Sequence, residues 1–164
     1  MSIKNKTLLE FAMTQNPVGT NQLNHKAIAR KWVESFETLE ARMMPEITAF
    51  LSDDFELICP GDSDVIPFAG IWKGAAGHQQ WLDLFFGFFN RTKAKKVTYT
   101  SSDHTVVARW QERVTLQGTE CDPVKINLYF HFYHGKLARI FDDYDTKTGT
   151  ASITRLLEPS LNPD

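Results

Sequence analysis

Apolar residues first recur with a helical period in the segment after residue 25, where Ile28, Trp32, Val33, Phe36 and Leu39 fall on one stripe. Asn24 is placed to cap that helix, and Pro45 suits the first turn of a short second helix over Glu46 to Leu51. Phe55 to Cys59 then reads as a short strand, stopped by Pro60-Gly61 and an acidic loop, Asp62 to Asp64. Pro67 to Gly70 adds a minor strand before Gly74 opens a third helix. In that helix His78, Trp81, Leu82, Phe85 and Phe89 share a face, while Phe86 and Phe88 widen it. A helix apolar on so many sides is expected to be largely buried.

From Val97 onward the period becomes two. Strands are expected over His104 to Leu116, Val124 to Tyr133 and Lys136 to Asp145. His134-Gly135 joins the last two as a two-residue type I′ turn. Helices, a small strand, a helix and a long meander make an α+β domain. Residues 1–24 read as a polar arm with a weak helical turn over Thr7 to Met13 and a break at Pro17–Gly19. Residues 25–146 read as the domain, and 147–164 as a tail with one apolar cluster, Ile153, Leu156 and Leu157.

Composition narrows the function. The 164 residues are 42% hydrophobic, and 12 Phe, 4 Trp and 4 Tyr supply area for a large core or a lined cavity. A net charge of −2 gives no field for nucleic acid or an anionic membrane. No apolar run is long enough to span a bilayer, and no signal peptide is evident, so a cytoplasmic address is expected. Cys59 and Cys121 belong to no CxxC pair, and the five His are scattered, so no metal is expected. Gly70 to Gly74 has the wrong spacing for a phosphate loop, and no cofactor is implied. Arg91 to Lys96 reads as a loop of solvated charge between helix and strand.

Three stretches together resemble the ketosteroid-isomerase-like, or nuclear transport factor 2-like (NTF2-like), superfamily, and especially its polyketide-cyclase-like (SnoaL-like) branch. They are the long and short helices leading to Leu51-Ser52-Asp53-Asp54-Phe55, the run Pro67-Phe68-Ala69-Gly70-Ile71-Trp72-Lys73-Gly74 before the Phe-rich helix, and the hairpin from His134 to Asp145. The resemblance covers roughly residues 25 to 146. It implies a cone: a curved, mostly antiparallel sheet closed by three helices around a pocket, with frequent dimers. Members include isomerases, cyclases, dehydratases, epoxide hydrolases and non-catalytic modules, so the fold alone names no reaction.

Counting back from the hairpin turn places Asn127 opposite Asp142, Tyr129 opposite Ile140 and His131 opposite Ala138. One face then carries Asn127, Tyr129, His131, Asp142 and Tyr144. The other carries Ile126, Leu128, Phe130, Phe132, Leu137, Phe141 and Asp143. Hydrophobicity favours the second face for the interior. The resemblance favours the first, because cyclases and epoxide hydrolases of the superfamily place an acid/base Asp at the position matching Asp142. On that reading Asp142 exchanges a proton, and His131 and Tyr129 orient or polarise the substrate. Asn127, Tyr144, Trp110, His78, Trp81 and Phe85 contact the substrate. The other reading leaves Asp142 as a solvated acid beside Asp143 and Asp145, and Tyr129 and His131 as packing on a dimer face.

Glu112 shares a face with Trp110, although a Glu at a sheet edge is the commoner outcome, and Asp54 reads as a loop acid. His78 is otherwise a hydrogen-bonded core residue, and His25, His104 and His134 are expected in solvent. The Tyr–Asp–Asp set of steroid isomerases, the complete Arg–Asp pair of epoxide hydrolases (Arg109 is followed by Gln111) and the surroundings of the dehydratase His pair are all missing. The sequence thus leads to a homodimeric cone that takes a hydrophobic small molecule, either as an acid/base enzyme or as a non-catalytic binding or assembly module.

Overall fold

The structure is a computed structural model that describes residues 17–92 and 96–157, with the side chains of 17–23 and of 92 outside the description. The weak turn expected over Thr7 to Met13 lies outside the described residues.

Helix α1 (Pro17–Leu39) buries Ile28, Trp32, Val33 and Phe36 of the expected stripe, together with Ala29, while Leu39 at its end is only partly buried. It begins earlier than expected, because Pro17 fits a first helical turn, where a missing N–H is no loss. Pro17–Gly19 is therefore no break, and Asn24 lies inside the helix rather than at its cap. A single turn (Glu40–Arg42), helix α2 (Met44–Ile47) and a further turn (Thr48–Phe50) lead into the sheet.

Strand β1 (Leu51–Cys59) is followed by β2 (Gly70–Lys73), three residues later than expected, and by α3 (Gly74–Phe88). Helix α3 buries His78, Trp81, Leu82 and Phe85. Then come β3 (Asn90–Thr92), β4 (Thr98–Ser102), β5 (Thr105–Leu116), β6 (Thr119–Glu120), β7 (Val124–Tyr133) and β8 (Lys136–Tyr144). Helix α4 (Thr146–Leu157) takes up much of the expected tail and buries Ser152 and Ile153. No helix among the described residues is long and apolar enough to cross a membrane.

The sheet runs β2-β1-β8-β7-β5-β3, with β4 and β6 also paired to β5. Only β1–β8 is parallel among the pairs. The fold is α+β, a curved, unclosed sheet with helices against its concave side, as expected apart from the additional helix. The hairpin turn also has the expected form, since His134 (φ 47°) and Gly135 (φ 75°) are both left-handed.

The register expected from that turn holds for two pairs only. Tyr133 faces Lys136 and Phe132 faces Leu137, but a bulge at Ala138 then sets His131 opposite Arg139. Every pair beyond it is displaced by one: Leu128 faces Asp142, Asn127 faces Asp143 and Ile126 faces Tyr144. The extra residue lets Asp142 and Tyr144 share the inner face with buried Leu128, Phe130, Phe132 and Ile140. Asn127, Tyr129 and His131 fall on the outer face, beside Arg139 and Asp143.

Candidate active site

A cavity of about 70 Å³ lies between α1, α3, α4 and the concave face of the sheet. Its wall is mostly apolar, with Trp32 and Phe36 from α1, and Trp81 and Phe85 from α3. Strand β5 adds Trp110 and Glu112, and β8 adds Asp142 and Tyr144. Gly149, Ser152 and Ile153 of α4 line it too. This helix starts where Asp145 accepts both the backbone N–H and the hydroxyl of Thr148. Ser152 donates to Asp122 at 3.1 Å, fixing the helix over the site.

Asp142 is the chemically unusual group. The Cys59 thiol donates to its Oδ2 at 3.8 Å, and its Oδ1 is sealed from solvent without any partner. No cation approaches it within ion-pair distance among the described residues. Loss of water around the carboxyl is the first cause, and the charges of Glu112 and Asp143 add to it against the opposing Cys59 contact, so that its pKa is raised to about 8. At neutral pH this side chain is therefore mainly a neutral acid.

Its neighbours are less available for proton transfer. Tyr144 donates its hydroxyl to the Pro60 carbonyl at 2.5 Å, and burial lifts its pKa above the ordinary phenol value. A Cβ at Gly61 would stand 2.9 Å from that hydroxyl, and Gly61 has φ 142°, so this close approach requires glycine. Burial, and then the Asp142 charge, push the Cys59 thiol well above its usual range, which makes it a poor nucleophile.

The expected site divides accordingly. Asp142, Tyr144, Trp110, Trp81 and Phe85 line the cavity together. Tyr129 and His131, expected to assist Asp142, lie across the sheet from it, and so does Asn127. The bulge at Ala138 is the physical reason. Outside, His131 Nδ1 lies 3.1 Å from the Thr105 hydroxyl, and Asn127 donates to Asp143 at 3.3 Å.

His78 is fully buried behind the cavity wall, stacked on Trp32 and Phe55, with neither ring nitrogen hydrogen-bonded. Burial lowers its pKa to about 3, so it is a neutral packing residue rather than a substrate contact. Asp54 is exposed, but it stands on β1 and not in a loop as expected. His25, expected in solvent, is buried against Phe132, and with His104 and His134 it borders a separate surface cleft.

Two features were missed. Arg91, expected in a solvated loop, sits on β3 with a buried side chain paired to Glu37 and Glu112. Glu112, expected at a sheet edge, is 7% exposed and lines the cavity. The period-two pattern of β5 already put Glu112 on the Trp110 face, and that was the signal available.

Known structures share this fold. An NTF2-like protein of unknown function from Burkholderia pseudomallei superposes with a TM-score of 0.68 at 20% identity, covering 80% of this chain and 98% of that one. The chain has an NTF2-like fold. A candidate polyketide cyclase from Xanthomonas campestris shares the NTF2-like fold at TM-score 0.66 and 14% identity, over 81% and 98% of the two chains. A candidate isomerase from Rhodopseudomonas palustris gives 0.63 and 17%, over 76% and 95%. No protein-family model and no curated protein matches the sequence. At these identities the likeness concerns the fold, and the chemistry has to be argued from the site.

Proposed function

We propose that the cavity binds a largely apolar small molecule and that Asp142 exchanges a proton with it. The observation that carries this reading is a carboxyl group, sealed among apolar side chains and without a counter-ion, whose pKa of about 8 straddles neutral pH. Protonated, it donates to a carbonyl or enol oxygen; ionised and poorly solvated, it is a strong base towards a C–H beside that carbonyl. The names of the similar structures, cyclase and isomerase, fit reactions that move protons in this way.

The competing reading is a binding module of the same fold. It gains from the placement of Tyr129 and His131 on the outer face, which leaves Asp142 without the two helpers expected for it. A bicyclic aryl ketone such as tetralone separates the two. In deuterium oxide, wild type should accelerate exchange of the hydrogens next to the ketone, with a rate that rises as pH passes about 8, and Asp142→Asn should lose it. A module binds tetralone equally well in both forms and exchanges nothing.

The same proposal takes the outer face as a homodimer contact. Tyr129, His131 and Phe141 are only half-covered there, and Ile71 is 60% exposed. Sedimentation should give twice the chain mass, and Tyr129→Asp should return it to one.

A further inference from the structure

Two carboxyl groups line the cavity, and the fold treats them in opposite ways. Asp142 is left without a cation. Glu112, two strands away on β5, is given one. Its Oε2 accepts from Arg91 at 2.8 Å and also from the Trp110 indole at 2.9 Å. Arg91 is itself buried, donates to Glu37 at 2.8 Å, and has its guanidinium 4.5 Å from the Phe36 ring centre. Burial alone would favour losing the Arg91 proton, but the two carboxylates more than offset it and raise the pKa above its ordinary value. Glu112 is thus tethered as a carboxylate inside the wall.

Both tethers reach the same oxygen. Oε1 accepts no hydrogen bond among the described residues, although Glu112 lines the cavity. Unlike Asp142 Oδ1, Oε1 is open to the cavity, so a ligand that displaces its water without bringing a donor leaves it unpaired and loses affinity. Asp142, mainly protonated, has the complementary need for an acceptor. Between these two poles the wall is aromatic, with Trp32, Phe36, Phe68, Trp81, Phe85 and Trp110 offering ring faces and edges.

We propose that the ligand is a ring compound with two oxygen functions, a carbonyl or enol oxygen that accepts from Asp142 and a hydroxyl that donates to Glu112 Oε1. Glu112 is then the group that selects hydroxylated ligands. A ligand lacking the hydroxyl leaves Oε1 unpaired, and a methyl ether sets a second acceptor against it. This inference rests on the reading of the cavity as the ligand site and adds the chemical class of what enters it.

The test uses tetralone, a tetralone hydroxylated on the ring edge opposite the ketone, and the methyl ether of that compound. Binding is followed by quenching of the cavity tryptophans. Hydroxytetralone should bind wild type roughly tenfold or more tightly than either other compound, the scale set by one unpaired buried polar group. In Glu112→Gln the amide oxygen is expected to take over the Arg91 and Trp110 bonds, turning its NH₂ towards the ligand, so the preference should vanish or reverse. Should that variant fail to fold, the wild-type ratio of hydroxyl to methyl ether decides alone. Equal binding of all three compounds to wild type would overturn the selection by Glu112 while leaving the cavity as a ligand site. No quenching by any of them would overturn both.

Discussion

The two faces of the β7–β8 hairpin show how one chain segment builds two different environments. On the inner face Leu128, Phe130, Phe132, Leu137 and Ile140 are buried, and Asp142 and Tyr144 are the polar exceptions. On the outer face Asn127, Tyr129, His131, Arg139 and Asp143 find hydrogen-bond partners or solvent. The His131 pKa is lowered, first by partial burial and then by Arg139. The difference teaches that reactivity here comes from withholding partners. Asp143 has Asn127 as a donor beside it, whereas Asp142, among Leu128, Trp81 and Phe85, has no such donor and keeps its proton at neutral pH.

The largest test of that contrast substitutes neighbouring residues across the sheet. Phe130→Ala, at a fully buried inner position, should cost about 3–5 kcal/mol in urea melts. Tyr129→Ala, next in sequence and half-buried outside, should cost about 1 kcal/mol within the protomer. Similar losses would mean that the faces do not differ as described.

Next in size is the pH dependence. The Asp142 pKa is raised on folding, from 3.8 to about 8, so the native state holds this proton where the unfolded chain has lost it. Stability from this group is greatest below about pH 4 and falls as pH rises towards 8. Above that, Asp142→Asn should be more stable than wild type by roughly a few kcal/mol. His78 acts in the opposite sense: its pKa falls on folding, from 6.5 to about 3, so its contribution is complete above 6.5 and is lost as pH drops towards 3. His78→Leu should remove roughly one proton from the slope of stability against pH in that acid range. An unchanged slope would place the imidazole elsewhere.

The smallest expected effect is on ligand binding by the outer face. Tyr129→Phe and His131→Ala should change the tetralone Kd by less than about twofold, because the sheet separates them from the cavity. A larger change would return them to the site.

How much of this was legible in the sequence follows from what pattern can carry. The stripe of α1, the Phe-rich α3 and the alternation of β5 and β7 appear as expected, because each is a periodicity imposed by burial over many residues. The turn at His134-Gly135 was legible from local backbone preference. The bulge at Ala138 was not, since one extra residue leaves no compositional mark, and it moved three site residues across the sheet. The clash between an apolar face and an acid assigned to its opposite was the trace it left. A bulge resolves that clash by putting both on one face. Arg91 was misread because a charged residue before Lys93, Lys95 and Lys96 looks solvated unless its partners, Glu37 and Glu112, are seen in space.

Asp142 carries a sealed Oδ1 and, among the described residues, no counter-ion, and titration of its side-chain carboxyl carbon by NMR in the free protein shows what that environment does. The expected midpoint is near 8, well above the ordinary aspartate value of 3.8. A midpoint at or below that ordinary value would place water or a cation against Asp142 and leave the cavity without its proton donor.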